Sequence, residues 1–194
     1  MDSKKNRDRV VGLLPQHCNA EAIRITRQLD LVEENLSAII AEIREVLKEK
    51  GGYAHMVMSM PGIGPIGALT LLAYVGDCER FSHGKQLGYY VGMVPRVDIS
   101  GDTVRYGRII TRGCGPLRRI IIQCANSLVR AKDSGDLGVF YRKLKERKGH
   151  NKAIVAVARK MLEVLYAMIT SGELYRYTSA DTIEKKLKRY GIAA

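Results

Sequence analysis

The sequence predicts a mainly α protein: a long N-terminal coiled-coil helix, then a compact helical domain with a helix-hairpin-helix and a small β-hairpin carrying a basic loop. Three observations predict it. Apolar residues from Ala22 to Val46 follow alternating spacings of three and four without a slip. Two short apolar segments flank the step Pro61-Gly62-Ile63-Gly64-Pro65. Between Val97 and Arg119, five arginines and four glycines rule out a long apolar helix. At 194 residues the chain can hold one domain with a real core and an appended element.

Residues 1–19 read as a polar arm containing Pro15. Residues 20–52 read as the coiled-coil helix, with Asn19 as its N-cap and Gly51-Gly52 as its stop. Its seam places Ala22, Leu29, Leu36 and Ile43 at the a positions and Ile25, Val32, Ile39 and Val46 at d. Leucine at a with β-branched residues at d leans away from a simple parallel dimer. Ile25, Leu29, Val32, Leu36, Ile39 and Ile43 are therefore the candidate oligomerisation residues; the same pattern would also serve one helix of an intramolecular bundle.

Residues 53–175 read as the helical domain, with the helix-hairpin-helix at 56–75. Gly62 and Gly64 allow the tight turn, Ile63 can plug the gap between the helices, and Pro65 suits the first turn of the second helix. Free N–H groups at that helix start are a ready anion site, with a phosphate as the usual occupant. A purely structural αα-turn is the alternative, because the flanking segments lack lysines. A short helix capped at Ser82 is predicted to run to Gly92. Asp98 to Val104 is predicted as a hairpin with Gly101-Asp102 at its tip.

A further helix starts at Gly115-Pro116, with Leu117, Ile120, Ile121, Cys124 and Leu128 on one face. Arg118 and Arg119 sit in its first turn, the wrong end for the helix dipole, which suggests a ligand supplying negative charge. Residues 139–148 form a basic segment. Lys152–Thr170 reads as the last strong helix, with Ile154, Val157, Ala158, Met161, Leu162, Leu165 and Met168 inward. Lys152, at its start, is a candidate phosphate contact. Residues 176–194 read as a polar tail with a short basic helix over Asp181–Tyr190.

The net charge is +12, and it is localised: residues 81–130 and 131–160 each carry a surplus of six, together the whole excess. Such confinement indicates a polyanion-facing surface more than general solubility. Arginine suits bidentate contact with phosphate, so Arg105, Arg108 and Arg112 join Arg118 and Arg119 as nucleic-acid candidates. Cys18, Cys78, Cys114 and Cys124 show no CxxC spacing, and no zinc or other metal site is predicted. The polar start lacks a signal-peptide h-region and no apolar run approaches a membrane span, so a cytoplasmic protein without membrane contact is expected.

Several ordered motifs carry a family resemblance. They are Pro61-Gly-Ile-Gly-Pro-Ile-Gly-Ala68, Gly76-Asp77 with Arg80-Phe81, Gly84-Lys-Gln-Leu87 and Tyr90-Val-Gly-Met-Val-Pro95. Ser100-Gly101, Gly107-Arg-Ile-Ile-Thr-Arg-Gly113, Leu117-Arg-Arg119 and Lys152–Lys160 follow. Over roughly residues 20–175 the chain resembles the C-terminal transposase domain of the DEDD-type bacterial insertion-sequence recombinases associated with bridge-RNA guidance. The resemblance implies a DNA-binding transposase or site-specific recombinase domain whose serine attacks the phosphodiester, in a site shared with an N-terminal RuvC-like domain that binds Mg2+ through a DEDD acidic set. By motif, Ser100 is the nucleophile, Arg105, Arg108 and Arg112 are phosphate or RNA contacts, and Ala22–Lys50 is the oligomerisation coil. DNA, a structured guide RNA and further copies of the chain are the implied partners.

No segment here reads as the RuvC-like domain, and Asp77, Asp98 and Asp102 do not make its acidic set. The chain is thus expected to be a separated domain, a separately translated fragment or a decayed copy, binding no cofactor itself and not completing transposition alone. Two other readings stand beside this one. The first is a non-catalytic nucleic-acid-binding and oligomerisation module, because a serine before glycine is ordinarily a turn residue and no base is assignable to Ser100. The second is an assembly protein built on the heptad seam.

Overall fold

A computed structural model describes residues 4–101, 103–110 and 112–192. Asp102, the second tip residue of the hairpin, lies outside the described residues, as do both ends of the chain, including residues 1–3 of the N-terminal arm. The chain divides into two compact units, Met1–Ile43 and Arg44–Ala194.

The first unit holds α1 (Lys4–Gly12) and most of α2 (Gln16–Glu49). The polar arm is therefore partly helical. Arg7 of α1 forks onto Glu33 of α2 at 2.7 Å and reaches Asp30 at 3.1 Å. Helix α2 begins at Gln16, directly after Pro15, so Asn19 lies in its first turn and is not the N-cap. The heptad seam is uncovered: Ile25, Leu29, Val32, Leu36 and Ile39 are between 43 % and 60 % exposed, with Ile43 half-buried.

The second unit begins with the last turn of α2, where Leu47 is fully buried. Gly51 and Gly52 do not stop the helical path for long. A one-residue break at Lys50 (φ −102°, ψ 38°) separates α2 from α3 (Gly51–Ser59), and the two glycines form the first turn of α3. Helix α4 (Pro65–Tyr74) follows the Met60–Gly64 loop with its proline in the first turn. Helix α5 (Gly84–Val91) is capped by His83, whose ring Nδ1 accepts the Gln86 N–H at 3.1 Å. The Gln86 side chain accepts the Ser82 N–H at 2.7 Å in return, a reciprocal arrangement shifted one residue from the expected Ser82 cap.

Strands β1 (Pro95–Ser100) and β2 (Thr103–Ile109) form an antiparallel two-stranded ribbon, and neither packs extensively on a helix. Helices α6 (Gly115–Leu128), α7 (Gly135–Lys148), α8 (His150–Ser171) and α9 (Ala180–Tyr190) complete the unit.

Helix α8 is the axis of the core. It packs against α7, α5, α6 and α3, and it buries the seven residues expected to face inward together with Ala153. Each fully buried aliphatic side chain contributes roughly 1.5–3 kcal/mol, enough in sum to fix the helices that carry the ribbon.

Residues 176–194, read as a polar tail, belong to this packed unit. Helix α9 rests on α3 and buries Ile183 and Leu187, and Ile192 is buried after it. Its alternation of apolar and basic residues is amphipathic, and the basic stretch hid the apolar stripe. Lys186 inserts its ammonium against the C-terminal end of α3 and donates to Met58 O at 2.6 Å and Met60 O at 3.0 Å. Both carbonyls lie at the C-terminal end of α3, where a cation complements the dipole, and Met60 O also accepts the Ile63 N–H at 3.4 Å.

Burial nevertheless pushes the Lys186 pKa down to about 8, against an opposing pull from Asp133. Between pH 8 and the ordinary lysine value the unfolded chain holds this proton more tightly, so stability rises with pH in that window. Relative to Lys186→Met, the parent is expected to gain about 3 kcal/mol between pH 8 and 10.5 in urea melts. The comparison with the variant is needed because burial raises the Cys78 and Cys124 thiols to about 11, which acts in the opposite direction. A pH-independent difference would show that the ammonium is not desolvated.

Candidate nucleic-acid interface

The ribbon is built from the Val97–Arg119 stretch. Its register pairs Val97 with Tyr106, Asp98 with Arg105, Ile99 with Val104 and Ser100 with Thr103, and Gly101 follows β1 in the turn. Gly101 has φ +56°, a left-handed conformation suited to glycine. Because side chains alternate along a strand, Arg96, Asp98 and Ser100 share one face of β1, and Arg105 lies opposite Asp98 on that face. Ser100 and Arg105 are diagonal neighbours, a relation that spans about 7–8 Å in antiparallel sheets. Val97, Ile99 and Val104 lie on the other face, and Ile99 is 71 % exposed.

A bulge places the next arginine. Between the pairs Val97–Tyr106 and Pro95–Ile109, Gly107 and Arg108 together oppose Arg96. Without this extra residue, alternation would send Arg108 to the Val97 face; with it, Arg108 joins the face of Ser100 and Arg105. Arg96 is engaged by Asp98 at 2.8 Å. Arg105 and Arg108 make no ion pair among the described residues, and the exposed Ser100 hydroxyl makes no hydrogen bond among them.

The base of the ribbon is tightly knitted. Ile110 N–H donates to Val94 O at 3.0 Å and Cys114 N–H to Tyr90 O at 3.1 Å. Gly92 (φ +79°) and Gly113 (φ +122°) meet backbone to backbone: a Cβ on Gly113 would lie 2.8 Å from Gly92 N. Arg118 of α6 donates to Val91 O at 3.0 Å and to Arg112 O at 3.1 Å, tying the end of α5 to the segment that leaves β2. The partial negative charge that offsets Arg118 at this helix start thus includes peptide carbonyls. Arg112 and Arg119 are exposed, and neither guanidinium makes an ion pair among the described residues. Arg80 stacks its guanidinium at 4.8 Å from the Phe81 ring and 4.7 Å from the Tyr90 ring, steadying the approach to α5.

The two glycines of the α3–α4 turn serve different surroundings. Gly62 (φ +84°) sits on the backbone of α6, where a Cβ would come within 2.3 Å of Cys124 O. Gly64 caps α4, and the nearest atom to a Cβ there is the Tyr190 hydroxyl at 3.7 Å. Ile63, expected as the plug of the turn, is buried. Beside this turn, Pro61, Gly62, Asp133, Lys185, Lys186 and Arg189 line a cavity of about 360 Å³. The lysines missing from the segments flanking the turn in sequence are therefore brought to it by α9. The basic run of that helix was visible in the sequence, but its packing partner was not. Lys152 is exposed in the first turn of α8.

No three His, Cys, Asp or Glu side chains among the described residues group as a metal site. All four cysteines are free thiols. No helix among the described residues is long and apolar enough to cross a membrane.

Residues 54–140, which include the α3–α4 turn and the whole ribbon, match the transposase family IS116/IS110/IS902. Over that segment the chain is similar to the transposase domain of that family. It is 33 % identical over 175 residues to the transposase for insertion sequence element IS1111A of Coxiella burnetii, a match that covers 84 % of this chain and 48 % of that protein. It is 30 % identical over 172 residues to a probable family 20 transposase of Pseudomonas aeruginosa, covering 86 % of this chain and 51 % of the relative. A pilin gene-inverting protein of Moraxella lacunata is 31 % identical over 121 residues, 60 % of this chain and 36 % of that protein. The chain spans about half the length of the first two relatives. The ribbon, with Ser100 near its tip, lies within the matched segment.

Proposed function

We propose that this transposase domain binds DNA and supplies Ser100 as the nucleophile for strand cleavage and exchange, in a composite site completed by a separate metal-binding RuvC-like domain. The observation that carries the reading is the polar face of the ribbon: an exposed serine hydroxyl shares it with Arg105 and Arg108, neither in an ion pair among the described residues. A serine hydroxyl needs activation, and cations that stabilise a pentacoordinate phosphorus must already be in place. The ribbon supplies the cations. Activation is assigned to the partner domain: in the cleavage step Ser100 Oγ loses its proton and bonds to phosphorus as the phosphorus–oxygen bond to the leaving 3′ or 5′ oxygen breaks, and that oxygen leaves as a hydroxyl by taking up a proton.

The test is strand exchange by Ser100→Ala with a RuvC-like domain supplied: activity should vanish while duplex binding persists. Full activity in that variant would sink the nucleophile assignment. A structured guide RNA is a further proposed ligand of Arg105, Arg108 and Arg112. Mutating these to alanine should lower the salt slope of binding by about 0.9 per lost phosphate contact.

One observation favours a second reading, a non-catalytic binding and oligomerisation module: no base among the described residues hydrogen-bonds the Ser100 hydroxyl. Under it Ser100→Ala changes nothing, whereas the arginine variants still weaken binding.

Self-association through α2 is proposed on the exposed heptad seam, whose apolar face recurs over about seven turns. Leu29→Glu with Leu36→Glu should shift sedimentation to the monomer. An unchanged mass would assign the seam another role.

A further inference from the structure

We propose that the C-terminal half of α7 and the first turn of α8 form a second surface for a nucleic-acid phosphodiester backbone, outside the family-matched segment 54–140. The proposal rests on the nucleic-acid reading above and adds a site to it. Its residues are Arg142, Lys143, Lys145, Arg147, Lys148 and Lys152.

Three features separate this cluster from an ordinary solvated helix face. The first is the missing counter-charge. Four exposed basic residues of α2 and α9 have acidic partners one turn away: Arg24 with Glu21, Lys48 with Glu45, Lys185 with Asp181 and Lys188 with Glu184. None of the six residues here makes an ion pair among the described residues, and Glu146 is the sole acid in the sequence between Leu137 and Leu162. Clustering like charges without partners is unfavourable for the isolated helix, so an external polyanion is the physical complement.

The second feature concerns the dipole. Lys145, Arg147 and Lys148 lie in the last turn of α7, where cations are favoured. Arg142 and Lys143 lie above that turn, and Lys152 lies at the start of α8, where the dipole opposes a cation. Helix electrostatics alone therefore account for half of the cluster.

The third feature is preorganisation. Gly149 (φ +76°, ψ 168°) turns the chain sharply between the helices. The corner is pinned by a 2.8 Å hydrogen bond between the Tyr141 hydroxyl and His150 Nδ1, with the two rings edge to face at 6.0 Å. Lys145 lies 5.8 Å from the Tyr141 ring centroid. From Arg142 to Lys148 the helix advances about 9 Å, so several cations can meet successive phosphates without reordering the backbone.

The test uses the full chain and fluorescence anisotropy at several salt concentrations. The probes are a DNA duplex of about 20 base pairs and the RNA duplex of the same sequence. The variant combines Arg142→Gln, Lys143→Gln, Arg147→Gln and Lys148→Gln; all four residues are exposed, and an unchanged thermal melt checks folding. Affinity should fall about 10- to 100-fold at 0.1 M salt, with the salt slope shallower by about 2–3. Loss on either probe supports the proposal and identifies which backbone is held. A charge-preserving variant, Arg142→Lys with Arg147→Lys, should retain the parent slope. Parent-like affinity and slope on both probes would overturn the proposal. If that happens while Arg105→Ala, Arg108→Ala and Arg112→Ala lose binding, the ribbon reading survives alone. If the parent chain binds neither duplex, both fall.

Discussion

Replacing Ser100 by alanine is expected to lower strand exchange by about 10⁴-fold or more, with duplex affinity within about twofold of the parent. The separation follows from where Ser100 sits. Its hydroxyl makes no hydrogen bond among the described residues and its side chain is exposed, so removing one oxygen disturbs neither the β1–β2 pairing nor the core. An exposed substitution of this kind costs roughly 0.5 kcal/mol or less. The arginines proposed to meet phosphate remain. Only the proposed attacking atom is lost, and water is a poor substitute where a site is arranged for a tethered nucleophile. Arg105→Ala should give an intermediate result, about 10²- to 10³-fold slower, because it removes one preorganised cation from the face of Ser100. Equal losses of activity and binding in Ser100→Ala would point to a structural role for the tip.

Gly62→Ala is expected to destabilise the second unit by roughly 3–5 kcal/mol, the sum of left-handed backbone strain and overpacking. The added methyl would lie 2.3 Å from Cys124 O and 2.7 Å from Leu128 N, both in the backbone of α6 and unable to swing aside. Gly64→Ala is the matched control: its φ is −100° and its nearest neighbour, the Tyr190 hydroxyl, is 3.7 Å away. If both glycines were present only to let a phosphate approach, both variants would lose affinity and keep their urea midpoints. The packing argument requires the midpoint to fall in Gly62→Ala and to hold in Gly64→Ala.

Periodicity made much of this fold legible. The helices that bury one face declared themselves by spacing, as α8 did through Ile154, Val157, Met161 and Leu165, and the ribbon by its Ser-Gly step between β-branched residues. Ends and partners were less accessible. Asn19 is a good capping residue, but Pro15, four positions earlier, already precedes the first turn of α2, and a local preference yields to a fixed backbone angle. His83 caps α5 where Ser82 was expected, since Gln86 reaches Ser82 and leaves the next residue to meet its own N–H. The basic stretch of α9 concealed Ile183 and Leu187, and no local pattern could show that Lys186 would meet the end of α3. In the same way, Arg118 reads as a free cation beside Arg119, yet it spans two carbonyls brought together only by the fold.

The contrast between the knitted base of the ribbon and its bare strands has an energetic consequence. Amides at Ile110 and Cys114 are locked to the helical unit, whereas the outer pairs near Ser100 are held by one neighbouring strand and by no buried side chain. Protection against hydrogen exchange should therefore fall steeply from the base to the tip, since the outer pairs can open without the core. Outer pairs that open above a fixed stem would let the β1–β2 strands sample orientations before the proposed contact forms. They then surrender that freedom only when a complementary surface holds them, so part of the binding free energy is spent on ordering the segment that carries Ser100.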